Sequence, residues 1–260
     1  MNDFLPVTKI PRQGLPEFAI VVGDPKRAAL TADMLQGQRL IASNREYFSY
    51  QGTWKGTEVV VSSHGVGGAG AVCMFQELAI AGVRTLIRAG TCGGVVDETR
   101  EGDVVIASAA VREDGVTDQM VPVPFPCFST PEVVLALQGA AQASGHPWHR
   151  GIVWSKSLFF PGVLVPPWET YIKAGIIAVE MELSALLVMA ALKKLRAGGI
   201  LTVDGNPLKR AGQTEYNPHR PVVDAAVEKM MTIALDAIHH LEQTRDQAPR
   251  DGETRPFAFA

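Results

Sequence analysis

The stretch Val83–Val95 (VRTLIRAGTCGGV) constrains the fold of this chain more than any other. Its β-branched and apolar start, Val83–Ile87, predicts a buried strand, and a turn of small residues follows Arg88. In open α/β sheets, ligands bind outside the carboxyl ends of strands, where small-residue turns and a guanidinium can hold an anion. The pattern therefore predicts a phosphate-like group at Arg88 and Thr91. An arginine paired with a surface carboxylate beside a tight turn explains the same residues at least as well.

An apolar strand followed by a glycine turn and a helix start occurs twice earlier in the chain. Phe18–Val22 leads into Gly23–Arg27, where a cation in the first helical turn is unfavourable unless an anion binds beside it. A capping Asp with a solvated Lys-Arg pair is the alternative. Thr57–Ser63 leads into His64–Gly70, which has the G-x-G-x-x-G spacing of a dinucleotide site. Because the next strand ends in Arg88 and not in an acidic residue, close helix–strand packing or room for a sugar are competing interpretations.

Two acidic positions also follow predicted strands. Ile176–Val179 leads into Glu180 and Glu182 at the start of a long apolar helix. Complementing the helix dipole accounts for at least one of these carboxylates, and the other could accept both hydroxyls of a vicinal diol. Gly199–Val203 predicts a buried strand that ends in Asp204, which is either a general acid or part of an Asx-turn.

The remaining patterns predict a single α/β domain in a chain of 260 residues. Leu40–Lys55 has the alternating aromatic residues of a hairpin, with Arg45 on its first strand. An apolar loop, Ser157–Pro167, contains two adjacent phenylalanines that are either core residues or a surface on which a planar base could stack. Further strands are predicted at Gly102–Val111 and Gly151–Ser155, and helices at Pro131–Ala143 and Pro221–Gln243. We expect the domain to span residues 1–243 and the tail, Thr244–Ala260, to be poorly ordered.

Charge and composition narrow the class of partner. The net charge of −3 is spread along the chain, so no basic stripe for nucleic acid and no polybasic membrane patch is present. No signal peptide or membrane-spanning run is recognisable, which predicts a cytoplasmic protein. Cys73, Cys92 and Cys127 lack the spacing of metal ligands, and we expect reduced thiols.

In combination, these motifs resemble the nucleoside phosphorylase-I family. The matching segments, in chain order, are GDPKR at 23–27, an arginine at 45 before a GTWKG hairpin, SHGVGG at 63–68, IRAGTCGG at 87–94, VEMEL at 179–183 and TVDG at 202–205. Each is weak alone, but their order and spacing cover nearly the whole chain. The resemblance implies a single domain with a central mixed, twisted β-sheet flanked by helices in a three-layer sandwich. It also implies a homodimer or homohexamer, with inorganic phosphate as co-substrate and no metal or organic cofactor.

The resemblance assigns a role to each matching position. The implied phosphate ligands are Gly23, Arg27, Arg88, Thr91 and, from the neighbouring subunit, Arg45. The implied ribose contacts are Met181 and Glu182, and the implied base contacts are Cys92, Gly93, Phe159, Val179 and Asp204. Asp204 matches the acid that protonates N7 of a departing purine, while Arg88 orients the attacking phosphate. Such an arrangement supports an oxocarbenium-like transition state.

The sequence departs from the family pattern at two places. No histidine precedes His64, although the family usually places one near the position of Leu5 to bind the ribose 5′-hydroxyl; a 5′-modified nucleoside is therefore one expected substrate. Val163 and Val165 replace the Gln and Arg with which uridine phosphorylases bind uracil. We therefore expect a purine nucleoside phosphorylase, with a uridine or broad-specificity phosphorylase as the alternative. A hydrolytic nucleosidase, a nucleoside-binding protein and a dinucleotide-dependent dehydrogenase are further alternatives.

Overall fold

The structure is a computed structural model that describes residues 3–160, 162–209, 217 and 219–245. The strands within those residues are β1 (Phe18–Val22), β2 (Gln36–Asn44), β3 (Tyr47–Trp54), β4 (Thr57–Ser63), β5 (Thr85–Gly94), β6 (Val104–Glu113), β7 (Trp148–Lys156), β8 (Ile176–Glu180) and β9 (Arg196–Val203). The helices are α1 (Pro25–Ala32), α2 (Gly68–Ala81), α3 (Pro131–Ser144), α4 (Trp168–Lys173), α5 (Leu183–Lys193) and α6 (Pro221–Gln243).

The nine strands form one mixed sheet in the order β2-β3-β4-β1-β5-β8-β7-β6-β9. β1 lies parallel between β4 and β5, and all five of its residues are buried. Such a continuous apolar run is typical of a strand that is covered on both faces. β5 also pairs with β9, so β5, β8, β7, β6 and β9 form a closed ring of strands. The predicted mixed sheet is confirmed, and the ring closure is an addition that the sequence patterns did not indicate.

Helices cover both faces of the sheet, which confirms the predicted layers. Phe75 of α2 and Leu186 of α5 belong to the hydrophobic core on one side, and Leu137 of α3 and Ile238 of α6 to the core on the other. No helix among the described residues is both long and apolar enough to cross a bilayer.

Glycines allow β9 to pack closely between the two helical layers. A Cβ on Gly198 would lie 2.6 Å from Cγ1 of Val133 in α3, and one on Gly199 would lie 2.7 Å from Cδ1 of Leu183 at the start of α5. An added Cβ at either position would force the neighbouring side chain to move. β9 begins at Arg196, three residues before the strand that the apolar run predicts.

The predicted hairpin is present, but the prediction that Arg45 lies on its first strand is wrong. β2 and β3 pair antiparallel with Asn44 opposite Tyr47, so the turn lies at residues 45 and 46. Arg45 is therefore not on a strand: it occupies the left-handed region at φ 55°. Gly52 lies inside β3, where an added Cβ would come 2.7 Å from Cβ of Leu35. The helix α4 was not predicted, and residues 246–260 of the tail lie outside the described residues.

Candidate active site

A cavity of about 540 Å³ opens where the carboxyl ends of β1, β5, β8 and β9 meet. Ligand sites of open α/β sheets lie at such strand ends. Residues predicted from the sequence that line this cavity are Gly23, Arg27, Arg88, Thr91, Cys92, Gly93, Phe159, Val179, Met181, Glu182 and Asp204. The structure therefore brings together every predicted site residue except Arg45, which is exposed in the β2–β3 turn.

An ion triad lies at one end of this cavity. Arg88, only 4% exposed, directs Nη2 to the carboxylate of Glu182 and to Oε2 of Glu180, the latter at 3.2 Å. Burial raises the pKa of Glu180. Burial acts in the same direction on Glu182, but the Arg88 guanidinium outweighs it and lowers the pKa of that carboxyl. The triad thus holds one guanidinium and two carboxylates in a nearly dry setting.

Arg88 keeps donors available for a further partner. Its Nε and Nη1 are buried and have no hydrogen-bond partner among the described residues. Buried donors without a partner cost free energy, and a ligand oxyanion would satisfy them. The geometry therefore suits the predicted anion, although Arg88 lies within β5 and not at its end. The competing prediction of a surface ion pair is wrong, since Arg88 and its two carboxylates are buried.

The turn predicted after Arg88 is wrong, because β5 continues to Gly94 and Arg88 lies within it. One of the small residues there instead makes room for the guanidinium. A Cβ on Gly90 would lie 2.8 Å from Cζ and 3.1 Å from Nη2 of Arg88. Gly90 therefore lets the side chain fold back over its own strand toward Glu182. Gly93 makes room for a different residue: a Cβ there would lie 2.7 Å from Cδ of Pro207.

Two loops, after β1 and after β4, form further parts of the cavity wall. Asp24 caps α1 by accepting a hydrogen bond from the backbone N–H of Lys26 at 2.8 Å, and Arg27 of this turn lines the cavity. The capping role of Asp24 is therefore confirmed, and an anion beside Arg27 stays a prediction. In the glycine turn after β4, the backbone N–H of Gly67 donates to Oε1 of Glu182 at 2.6 Å, which fits the packing interpretation of the G-x-G-x-x-G spacing.

Asp204 follows β9 and is 4% exposed. Its backbone N–H donates to the carbonyl of Cys92 at 2.9 Å. Its carbonyl accepts from Nη2 of Arg220 at 2.9 Å, and Arg220 pairs with Glu101 at 2.8 Å. The strand end is thereby attached to the residue before α6. Sequence reasoning missed Arg220 because sixteen residues separate it from Asp204.

Burial makes the thiol of Cys92 a poor nucleophile. Desolvation raises its pKa well above the ordinary value, with the carboxyl of Asp204 acting in the same direction. Since the thiolate is the reactive form, Cys92 contributes shape to the cavity and no nucleophile. Among the described residues, no group of three or more His, Cys, Asp or Glu side chains is arranged to hold a metal ion.

His64 lies behind the cavity and was not assigned a role from the sequence. Its Nδ1 lies 2.9 Å from the carbonyl oxygen of Gly65, which can only accept, so Nδ1 carries the proton. The ring packs edge-on against Phe75 at 5.3 Å between centroids, and Nε2 has no partner among the described residues. Complete burial lowers the pKa of His64 to about 4, so the ring is neutral at pH 7.

The low pKa of His64 predicts an acid-sensitive fold. Between the unfolded value of about 6.5 and the folded value of about 4, the unfolded chain binds the proton and the folded chain does not, so stability falls as pH falls. We expect a loss of about 3 kcal/mol across this window, and no further loss from His64 below it. Urea unfolding between pH 4 and pH 7 measures it.

His64→Gln is the informative variant, because glutamine can still donate to the carbonyl of Gly65. The pH dependence of its unfolding free energy should be flatter than that of the wild type by about the same 3 kcal/mol. His240→Gln, which removes an exposed histidine on α6, controls for the substitution itself. Equal slopes for the wild type and His64→Gln would refute the assignment.

Lys156 and Trp168 also line the cavity without having been predicted. The Nζ of Lys156 lies 5.5 Å from the centroid of the Trp154 ring and 5.2 Å from that of Trp168. Lys156 is the last residue of β7, so its place at the end of a strand was the signal that could have identified it.

Comparisons with known proteins agree with this geometry. The family model described as "Phosphorylase superfamily" matches residues 17–239. The chain is 38% identical over 225 residues to a purine nucleoside phosphorylase of Plasmodium vivax, covering 85% of this chain and 90% of the relative. It is 34% identical over 232 residues to a uridine phosphorylase of Treponema pallidum, covering 85% and 88%.

A solved structure is also similar. The purine nucleoside phosphorylase of Toxoplasma gondii in complex with immucillin-H superposes with a TM-score of 0.89 at 32% identity, over 94% of this chain and 98% of that one. The relatives named here are enzymes, and the resemblance to nucleoside phosphorylases that the motifs indicate is confirmed. The chain therefore belongs to the phosphorylase superfamily.

Proposed function

We propose that the protein catalyses the reversible phosphorolysis of purine ribonucleosides and deoxyribonucleosides, giving the free base and a pentose 1-phosphate. The observation that carries this proposal is the pair of unpartnered donors on buried Arg88, a residue that lines the same cavity as Asp204. Arg88 suits an oxyanion, and Asp204 suits a leaving group that must be protonated. Phosphorolysis requires both.

In this mechanism, Arg88, Arg27, Thr91 and the backbone of Gly23 hold inorganic phosphate beside the anomeric carbon. Glu182 accepts the ribose hydroxyls, with Met181 packing on the sugar, and its carboxylate stabilises the positive charge that develops there. A phosphate oxygen forms a bond to C1′ as the bond from C1′ to N9 breaks. The electron pair moves into the base, and Asp204 in its protonated form donates the proton to N7.

The base side of the cavity favours a purine over uracil. Val163 and Val165, at the positions where a uridine phosphorylase has amide-binding side chains, are 98% and 90% exposed and offer no polar group. Cys92, Gly93, Phe159 and Val179 form an apolar surface for a planar ring. The Plasmodium vivax and Toxoplasma gondii relatives are named for purine nucleosides. A uridine or broad-specificity phosphorylase remains the second candidate, since the Treponema pallidum relative is named for uridine.

The partner subunit forms a further part of the proposal. Arg45 is exposed at the tip of the β2–β3 turn and lies outside the cavity of its own chain, which suits a phosphate ligand donated to a neighbour in a homodimer or homohexamer. Leu5, near whose position the family usually places a histidine for the ribose 5′-hydroxyl, is 1% exposed within its own chain and does not suit a contact with the ribose of a neighbouring subunit. We propose that phosphate is the only co-substrate, that no metal or organic cofactor takes part, and that the enzyme acts in the cytoplasm in purine salvage.

The experiment that tests the function is base release from inosine, adenosine, guanosine and uridine, each with and without inorganic phosphate. We expect release that requires phosphate and is faster with purine nucleosides. Phosphate-independent release would make the protein a nucleosidase and leave the arginines at the cavity without a role. Phosphate-dependent release that favours uridine would select the second candidate, and binding without release would indicate a nucleoside-binding protein.

A further inference from the structure

We propose that Lys156 selects the base, favouring nucleosides whose base carries a carbonyl oxygen over those whose base carries only amino groups. The inference rests on the proposed function, because it specifies the substrate of the same cavity. The ammonium of Lys156 donates a hydrogen bond to that oxygen. Hypoxanthine, guanine and uracil have such an oxygen, whereas adenine has none.

The position of Lys156 follows from the alternation of side chains along β7. Trp154 and Lys156 are two residues apart, so they project from the same face of the strand, and Ser155 projects from the other. Ser155 lies opposite Glu180 in the register of β7 and β8 and donates to its carboxylate. Trp154 lies opposite Val179, which lines the cavity. Lys156 therefore belongs to the Val179 side, away from the ion triad.

Aromatic rings fix the direction of the lysine side chain. Its Nζ lies 5.5 Å and 5.2 Å from the ring centroids of Trp154 and Trp168, and both distances suit a cation–π interaction. Phe159 and Trp168, which follow Lys156 in the chain, line the same cavity. A planar base bound against Val179 and Phe159 is therefore within the part of the cavity that Lys156 borders.

The ammonium also keeps its hydrogen-bonding capacity. No carboxylate within ion-pair distance and no hydrogen-bond acceptor engages Nζ of Lys156 in the part of the chain that the structure describes. The carboxylate that acts on it electrostatically, Glu113, already accepts a hydrogen bond from the hydroxyl of Tyr171. Partial burial lowers the pKa of Lys156. A lysine ammonium has three N–H donors and no acceptor. A half-buried lysine at a ligand cavity therefore suits a ligand that offers a hydrogen-bond acceptor.

This donor discriminates between bases because their exocyclic groups differ. A carbonyl oxygen accepts from the ammonium, whereas an exocyclic amino group presents a donor to a donor and leaves both unsatisfied. Negative charge also develops on the departing base, and a carbonyl oxygen carries part of it. The ammonium therefore stabilises the transition state of an oxo base more than its ground state.

The test compares inosine with adenosine in the wild type and in Lys156→Met, with phosphate present. We expect the wild type to prefer inosine and the variant to lose on the order of tenfold in kcat/KM for inosine, with less than a twofold change for adenosine. Lys156→Arg should retain the preference, because it keeps the charge. Lys173→Met, on the exposed side of α4, is the matched control and should leave both substrates unaffected.

Binding of hypoxanthine and adenine, measured by calorimetry, separates this inference from the proposed function. A wild type that binds hypoxanthine more tightly, with the preference lost in Lys156→Met, supports the selector even if no phosphorolysis is detected. An unchanged ratio of inosine to adenosine in an active Lys156→Met overturns it. A wild type that prefers adenosine, or that binds neither base, overturns it as well.

Discussion

Asp204→Asn is expected to lower kcat for purine phosphorolysis on the order of 100-fold or more. An asparagine matches the shape of the carboxyl group but has no acidic proton to donate to N7, so the base must leave with its full negative charge. The side chain lines the cavity and is 4% exposed, which limits proton donation by bulk water. Steady-state phosphorolysis of inosine measures the effect.

Phosphate binding should persist in this variant, because Arg88 and Arg27 are unchanged. Protection of the protein by phosphate against thermal unfolding is the corresponding measurement. Asp33→Asn, an exposed substitution after α1, is the matched control and should retain wild-type turnover. An Asp204→Asn enzyme with an unchanged kcat would remove Asp204 from the mechanism, and one that also loses phosphate protection would indicate a structural role.

The elements that position the site could be predicted because their signals are local. Apolar runs that end in a charged residue identified the ends of the strands that lead to Glu182 and Asp204, and the run before Arg88 identified its strand but placed the end too early, since β5 continues to Gly94. All three residues line one cavity. The closure of strands β5 to β9 into a ring had no such signal. It depends on β9 pairing with both β5 and β6, and pairing between distant strands is not encoded in the periodicity of either one.

The residues whose roles the sequence did not indicate were missed for one physical reason. The burial of His64 depends on Phe75 and on the sheet behind it, and the direction of Lys156 depends on Trp168 in a helix that the sequence did not predict. Arg220 acts on the backbone of Asp204, an interaction that no side-chain motif encodes. Gly90 was predicted to admit an anion, and the structure shows that it also makes room for the guanidinium of its neighbour Arg88. In each case the information lies in a tertiary contact.

Arg88→Met is expected to destabilise the fold by about 3–5 kcal/mol, because it leaves the carboxylates of Glu180 and Glu182 buried without their cation. The methionine fills much of the same volume, so the loss is electrostatic and not a loss of packing. Urea unfolding at pH 7 measures the change in the free energy of unfolding. Phosphate should no longer protect the variant against thermal unfolding, since the unpartnered donors of Arg88 are gone.

The double variant Arg88→Met with Glu182→Gln separates charge from shape. Removing the carboxylate that contacts Nη2 most closely leaves one unpaired carboxylate in place of two, so the double variant should be more stable than Arg88→Met alone, and a double-mutant cycle gives the coupling. Neither variant should regain protection by phosphate. A destabilisation below about 1 kcal/mol in Arg88→Met would mean that water already solvates the triad. In that case, the buried ion triad could not be what positions phosphate in this enzyme.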